Sequence, residues 1–429
     1  MPTTALPGFR DFYPEDFALR AHIFETWRRV AGRYGFEEYD GPPLESLDLY
    51  TEKSGEEIVG QLYEFTDKGD RRVALRPEMT PSLARMVAAR ANGLKKPIRW
   101  FSIPQLFRYE RQQRGRLREH FQLNCDLIGE STPLADAEII ALAIDVMRAF
   151  GLSARDVRVR VSDRILITDW LRQAGVPDAA LGVALQAIDR LEKSHDQARA
   201  MLEGVAPSSA AQIVRRLGDP SARTELRQEL VARGGTLSRF GAVLDALDDM
   251  GLADWVEFDP TIVRGLAYYT GTVFELFDTG RTLRAICGGG RYDALTGAIG
   301  GVELGAVGFG MGDVVLGELL KDKALVPAHA ASIDVFLAAI TEGDVPAVLR
   351  LAHELRDAGI RVEYALGVQA VGKQLKLADA RNARFAVVIG PDDREKHQVI
   401  LKDLRAKGQM PVARGEIVQE VLKTIRPGR

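Results

Sequence analysis

From about Ile165 to Leu252 the apolar residues recur at helical spacing almost without a break, whereas the segments on either side read as strands. Pro177, Pro207 and Pro220 cut this stretch into short amphipathic helices. The pattern predicts a strand-bearing domain interrupted by an all-helical insertion. With 429 residues the chain is too long for one core, and about 150 residues per domain gives two or three domains. Beyond a small-residue linker, Pro327 to Ser332, strand and helix alternate: Ile333–Ile340, Val345–Gly359, Arg361–Tyr364, Val368–Ala380 and Arg384–Gly390. Such alternation predicts a separate small α/β domain with a mainly parallel or mixed sheet. The expected fold class is thus α/β (α+β), with a first domain over 1–326 interrupted at 165–252 and a second over 331–429.

Within the first domain, Ile23, Trp27, Val30 and Tyr34 mark an amphipathic helix between Glu15 and Tyr34, with Gly35 ending it. Pro42 and Pro43 stop a short extended run that begins at Phe36, as at a sheet edge or a subunit contact. Arg72 to Met86 reads as a strand and then a helix with Pro81 in its first turn. Ile98 to Gly129 reads as two antiparallel strands joined by an arginine-rich loop, and Val157–Val161 alternates as a half-buried strand does. No stretch approaches eighteen uncharged apolar residues, and the first residues have neither a basic region nor an apolar run, so neither membrane insertion nor secretion is expected. The two cysteines, Cys125 and Cys287, cannot form a disulfide framework or a four-thiolate metal site, which fits a reducing cytoplasm.

The formal net charge is −3, so the chain as a whole is no trap for polyanions. Its distribution is uneven. Leu351 to Arg429 carries 15 basic and 10 acidic side chains, +5, which leaves −8 for the rest. Arg108 to Arg118 packs five arginines and one glutamate into eleven residues. Such a run can be a solvated face, but arginine without lysine favours bidentate contact with phosphate. Gly308-Phe-Gly310-Met-Gly312 lacks the full dinucleotide-binding spacing and lies late in its domain, and Cys287-Gly-Gly-Gly-Arg-Tyr-Asp293 is no phosphate loop, since no Gly-Lys-Ser/Thr follows. Three successive glycines still allow backbone to approach a ligand, or make a tight turn between strands. On a strand, Gln122, Asn124 and Asp126 share one face and Leu123, Cys125 and Leu127 the other. Polar groups gathered on one face of an apolar sheet need partners, a ligand or solvent. A third segment, Val263 to Glu275, brings Arg264 and the pair Tyr268-Tyr269 just ahead of a strand.

Together these segments resemble the class II aminoacyl-tRNA synthetases of subclass IIa, and within them the histidyl-tRNA synthetase family. Pro42-Pro43-Leu-Glu is similar to motif 1, Phe107-Arg-Tyr-Glu through Asp126 to motif 2, and Gly305 to Leu320 stands in the place of motif 3. Arg264-Gly-Leu-Ala-Tyr-Tyr-Thr-Gly and Cys287-Gly-Gly-Gly-Arg-Tyr-Asp are similar to the two histidine signatures. The resemblance implies an antiparallel-sheet catalytic domain with a helical insertion, followed by an anticodon-binding α/β domain. It implies activation of L-histidine with ATP and Mg²⁺ to histidyl-adenylate, transfer to tRNA(His), a homodimer, and a cytoplasmic enzyme without a metal of its own. Arg108 and Arg264 would be catalytic, holding the α-phosphate. Histidine would be bound by Glu78, Met79, Thr80, Arg108, Gln122, Asp126, Arg264, Tyr268 and Tyr269. ATP would be bound by Arg108, Glu110, Arg116, His120 and Arg291, and Gln113 and Arg114 would meet the tRNA acceptor end.

Two positions depart from the family pattern. Val315 stands where the motif 3 arginine is usual, and Ala267 where the first histidine signature usually has an acidic residue. Adenine would stack on His120 or its neighbour Phe121. The competing reading is a synthetase-like regulatory subunit of ATP phosphoribosyltransferase, which senses histidine without charging tRNA. Such proteins typically lack the anticodon domain and the signature arginine, whereas this chain has Arg264 and a plausible domain.

Overall fold

The computed structural model describes residues 4–51, 59–111, 113–192, 194–232, 237–264, 268–327 and 333–425, so Ala267 lies outside the described residues. The chain divides into two compact units, Met1–Pro327 and Ala328–Arg429.

The first unit is built on a nine-stranded sheet in the order β1 (Glu37–Glu38), β5 (Ile98–Ser102), β7 (Glu119–Ile128), β12 (Ala306–Gly312), β11 (Cys287–Arg291), β10 (Thr272–Asp278), β8 (Val157–Asp163) and β9 (Val256–Phe258), with β6 (Gln105–Phe107) also on β7. All neighbours are antiparallel except the outer pairs β1/β5 and β8/β9. Alternation along the strands sorts side chains to two faces. Phe101, Leu127, Phe274 and Val307 enter one large core with the helices Pro14–Arg33 and Pro133–Ala149, while Ile98, Ile128, Val273 and Ala306 enter a second beside the helix Thr80–Arg90. A three-stranded sheet, β2 (Leu44–Ser46), β4 (Arg72–Leu75) and β3 (Tyr63–Thr66), leaves β2 at its edge. Pro42-Pro43 therefore does precede an edge strand.

Two readings of the sequence need correction. The segment from Ile98 to Gly129 forms three strands, because β5 and β6 are separate and both pair with β7. β8 is not half-buried: only Arg158 is exposed, and Arg160 is 3% exposed because Asp259 and Glu192 bind its guanidinium. The helical stretch opens at Arg164 and runs through Leu181–Arg190, His195–Val205, Ala210–Gly218, Pro220–Ala232 and Leu237–Asp249. Its Leu171, Ile188 and Phe240 share the core of the sheet.

The second unit has a five-stranded sheet ordered β14 (Val362–Tyr364), β13 (Val335–Ala339), β15 (Phe385–Ile389), β16 (Gln398–Asp403) and β17 (Gly408–Ala413). The first three strands are parallel and the last two antiparallel, the mixed sheet that the alternation predicted. Helices Val345–Asp357, Val371–Ala380 and Ile417–Ile425 belong to this unit, and it has its own core around Leu337, Leu351 and Val387.

Candidate active site

The centre of the large sheet is a trough floored by glycine. Cross-strand register aligns Glu275 on β10, Gly288 on β11, Gly310 on β12 and Asn124 on β7 in one row, and Val273, Gly290, Gly308 and Asp126 in the next. The absence of side chains at Gly288, Gly290, Gly308 and Gly310 lets those of the flanking segments lean inward. A Cβ on Gly288 would meet the Arg264 guanidinium at 2.6 Å, and one on Gly308 would overlap Asp126 Oδ1. Both glycine clusters are thus strands that open a cleft, not turns. The tight-turn reading of Cys287–Asp293 is therefore overturned, and the groups that closely approach the glycines are the protein's own side chains.

Above the trough lies a cavity of about 620 Å³, adjoined by a recess of about 240 Å³ that shares its lining. Arg108 and Arg264 line both. They arrive from different sides of the glycines. Arg108 follows β6 and donates from Nε to the Pro77 carbonyl at 2.9 Å. Arg264 has φ +57° and donates from Nη1 to Glu275 on β10, while its buried Nε has no hydrogen-bond partner. Burial alone would lower the Arg264 pKa, but Glu275, Tyr269 and Asp189 outweigh it and raise it. The guanidinium is a permanent charge.

The recess has the polar lining expected of the β7 face: Gln122, Asn124 and Asp126 reach it, while Leu123, Cys125 and Leu127 sit in the core. Glu78, Thr80, Tyr268 and Tyr269 complete it. Tyr268 donates its hydroxyl to Glu78 Oε2 at 3.0 Å, and Tyr292 donates to Asp126 Oδ1. Asp126 Oδ2 is buried without a partner, and burial pushes the Asp126 pKa up to about 7 against the hydrogen bond from Tyr292. An acceptor of this kind, walled by tyrosines, suits an N–H donor of limited charge.

Glu110 and Arg116 form an ion pair at the larger cavity, and His120 lines it. Burial, with Arg108 and Arg10 nearby, lowers the His120 pKa to about 3, which keeps the ring neutral. Phe121 packs on Phe12 and Phe24 under Arg20, so His120 is the ring that faces the cavity. At the loop tip, Gln113 bridges to Arg116, and Arg114 is paired with Asp322 at 2.9 Å. Val315 is 8% exposed and lines the cavity beside Gly115.

Two expected site residues are elsewhere. Met79 is fully buried, near Arg76 and beneath Gly41, because the turn that aims Glu78 and Thr80 at the recess turns Met79 inward. Arg291 is 1% exposed and committed to Asp136 at 2.9 Å, Asp293 at 2.9 Å and the Glu130 and Thr132 carbonyls, so it anchors the start of the helix Pro133–Ala149 and does not reach the cavity. Sequence reasoning assigned no role to Glu275, Tyr292, Asp189 and Glu192, all of which line the cleft. Glu275 could have been found as the one acidic side chain inside the apolar run of β10.

The family described as histidyl-tRNA synthetase matches residues 8–313, and the anticodon binding domain matches 334–424. A relative from Opitutus terrae named histidine–tRNA ligase is 45% identical over 96% of both chains. One from Arabidopsis thaliana, named histidine–tRNA ligase, chloroplastic/mitochondrial, is 40% identical over 94% of this chain and 84% of its own. A crystal structure of histidyl-tRNA synthetase from Nostoc superposes with a TM-score of 0.79 at 25% identity, covering 99% of this chain and all of that one. By family match and by identity over nearly its whole length, the chain belongs to the histidyl-tRNA synthetase family.

Proposed function

We propose that the cleft joins L-histidine to ATP on a glycine floor between two arginines. The chain is an aminoacyl-tRNA synthetase with the activity of its family, ligating histidine to tRNA at the expense of ATP. The observation that carries the residue-level reading is that Arg108 and Arg264 line one cleft that narrows into an acid- and tyrosine-lined recess. In the first step a carboxylate oxygen of histidine attacks the α-phosphorus, the bond to the bridging oxygen breaks, and pyrophosphate leaves. Two anions must meet, so fixed cations and placement do most of the work. Arg108 and Arg264 hold the α-phosphate. Glu110 accepts from the adenine amino group, His120 faces the base, and Arg116 exchanges its ion pair with Glu110 for the outer phosphates.

Histidine enters the recess with its ammonium toward the acidic groups and its ring between Asp126 and the tyrosines. A site that hydrogen-bonds both ring nitrogens rejects apolar amino acids by roughly 10⁴ or more, because they leave its buried groups unpaired. Mg²⁺ comes with ATP as part of the substrate, since an ion of this kind keeps several waters and binds through phosphates and one or two carboxylates. The helices from Arg164 to Asp249 hold the acceptor arm of tRNA(His), Gln113 and Arg114 touch its end once Arg114 leaves Asp322, and residues 331–429 bind the anticodon through splayed bases and basic side chains. Two copies pair through the motif 1 segment at the β2 edge, and the enzyme works in the cytoplasm, where its buried free thiols Cys125 and Cys287 stay reduced.

Val315 is the one observation that favours the regulatory-subunit reading, and Arg264 in the cleft together with the anticodon-domain match at 334–424 weighs against it. Exchange of labelled pyrophosphate into ATP decides the matter. It should require histidine and fail with other amino acids; absence of exchange with folded protein, histidine and Mg²⁺ would refute the reading.

A further inference from the structure

Val315 fills the position usual for the motif 3 arginine and Arg291 is consumed at a helix start, which leaves Arg116 as the cation so far assigned to the outer phosphates. The connection between β10 and β11 carries another. Cys287 faces Met311, and Gly312 donates its N–H to the Ile286 carbonyl at 3.3 Å. Arg284 lies in that connection three residues before Cys287, and Val314 lies in the first turn of the helix Asp313–Asp322 that carries Val315. Arg284 is exposed, and it lines the same cavity as Val314, Val315, Arg108 and Arg116.

We infer that Arg284 binds the outer phosphates of ATP, supplying from the β10–β11 connection the charge that the family usually supplies from motif 3. The inference rests on the reading of the cleft as the ATP site. Arg284 and Val315 line the same cavity from two different elements. Exchange of carrier is physically permitted because an arginine fork on a short exposed connection reaches phosphate as well as one on a helix does.

ATP and AMP binding, measured by calorimetry on the full chain, separate an outer-phosphate contact from a local distortion. Arg284→Ala is expected to weaken ATP binding about tenfold or more while AMP binding stays within about twofold, and Arg284→Glu should weaken ATP further. Equal losses for ATP and AMP, no loss for either, or a reversal variant no worse than alanine would each overturn the assignment. Histidine-dependent exchange by the unaltered protein, run alongside, tests the underlying reading separately: its absence removes the enzyme assignment, whereas the ATP–AMP difference still decides Arg284.

Discussion

Replacing Arg264 by alanine separates two roles that one guanidinium fills. The side chain pairs with Glu275 and lies over Gly288, so the variant removes a cation from the cleft and also strands a carboxylate. Breaking a fully buried pair on one side costs ~3–5 kcal/mol. Here the two side chains are 22% and 18% exposed. Solvent screens part of that penalty, and ~1–3 kcal/mol of destabilisation is expected. The kinetic loss is a separate quantity. Removing one preorganised group that faces developing charge costs ~2.7–4 kcal/mol, or about 10²–10³ in rate. Arg264→Ala should therefore slow single-turnover adenylate formation, read by rapid quench, by about 100-fold or more. Adding Glu275→Gln removes the stranded charge, so the double variant should regain thermal stability and remain slow. If it formed adenylate within about threefold of Glu275→Gln alone, Arg264 would serve only to neutralise Glu275, and its role at phosphorus would be lost.

If Asp126, its pKa raised by burial to about 7, takes the histidine ring as a carboxylate, the affinity for histidine should rise about tenfold from pH 6 to pH 8. Asp126→Asn should abolish that component and leave only titration of the ligand's own imidazole; an unchanged profile would remove Asp126 from the pocket. The same carboxyl has its pKa raised on folding, so its contribution to stability is full below about pH 4 and falls as pH rises through about 7. Denaturant midpoints of the wild type and Asp126→Asn, compared across that window, should show the slope in the wild type alone. Arg291→Met should cost ~3 kcal/mol by leaving buried Asp136 with Arg239 alone, at 3.1 Å, while the folded variant keeps its KM for ATP. A raised KM without loss of stability would restore Arg291 to the ATP site.

Much of the site was legible because strand alternation is strict. Gln122, Asn124 and Asp126 share a face whatever surrounds them, and the helix Pro14–Arg33 announces itself through Ile23, Trp27 and Val30. What was hidden depends on partners distant in sequence. Arg291 sits in a glycine-rich motif and reads as ligand-binding until Asp136, 155 positions away, takes its guanidinium. Arg160 looks like the outward member of an alternating strand until Asp259 and Glu192 bring it inside. Met79 lies between two recess residues, but it is on a turn, where period-two alternation says nothing about direction. The purpose of the glycine clusters was hidden for the same reason: their spacing is visible, but the side chains that fill the space they leave belong to β7 and to the segment before β10.

The most direct test of the account is a crystal structure of the protein with histidine and a non-hydrolysable ATP analogue. α-Phosphate oxygens are expected within about 3 Å of both the Arg108 and Arg264 guanidinium groups, with an imidazole ring hydrogen-bonded in the recess beside Asp126. An α-phosphate held by one arginine with the other turned to solvent, or a histidine ring bound outside that recess, would contradict it.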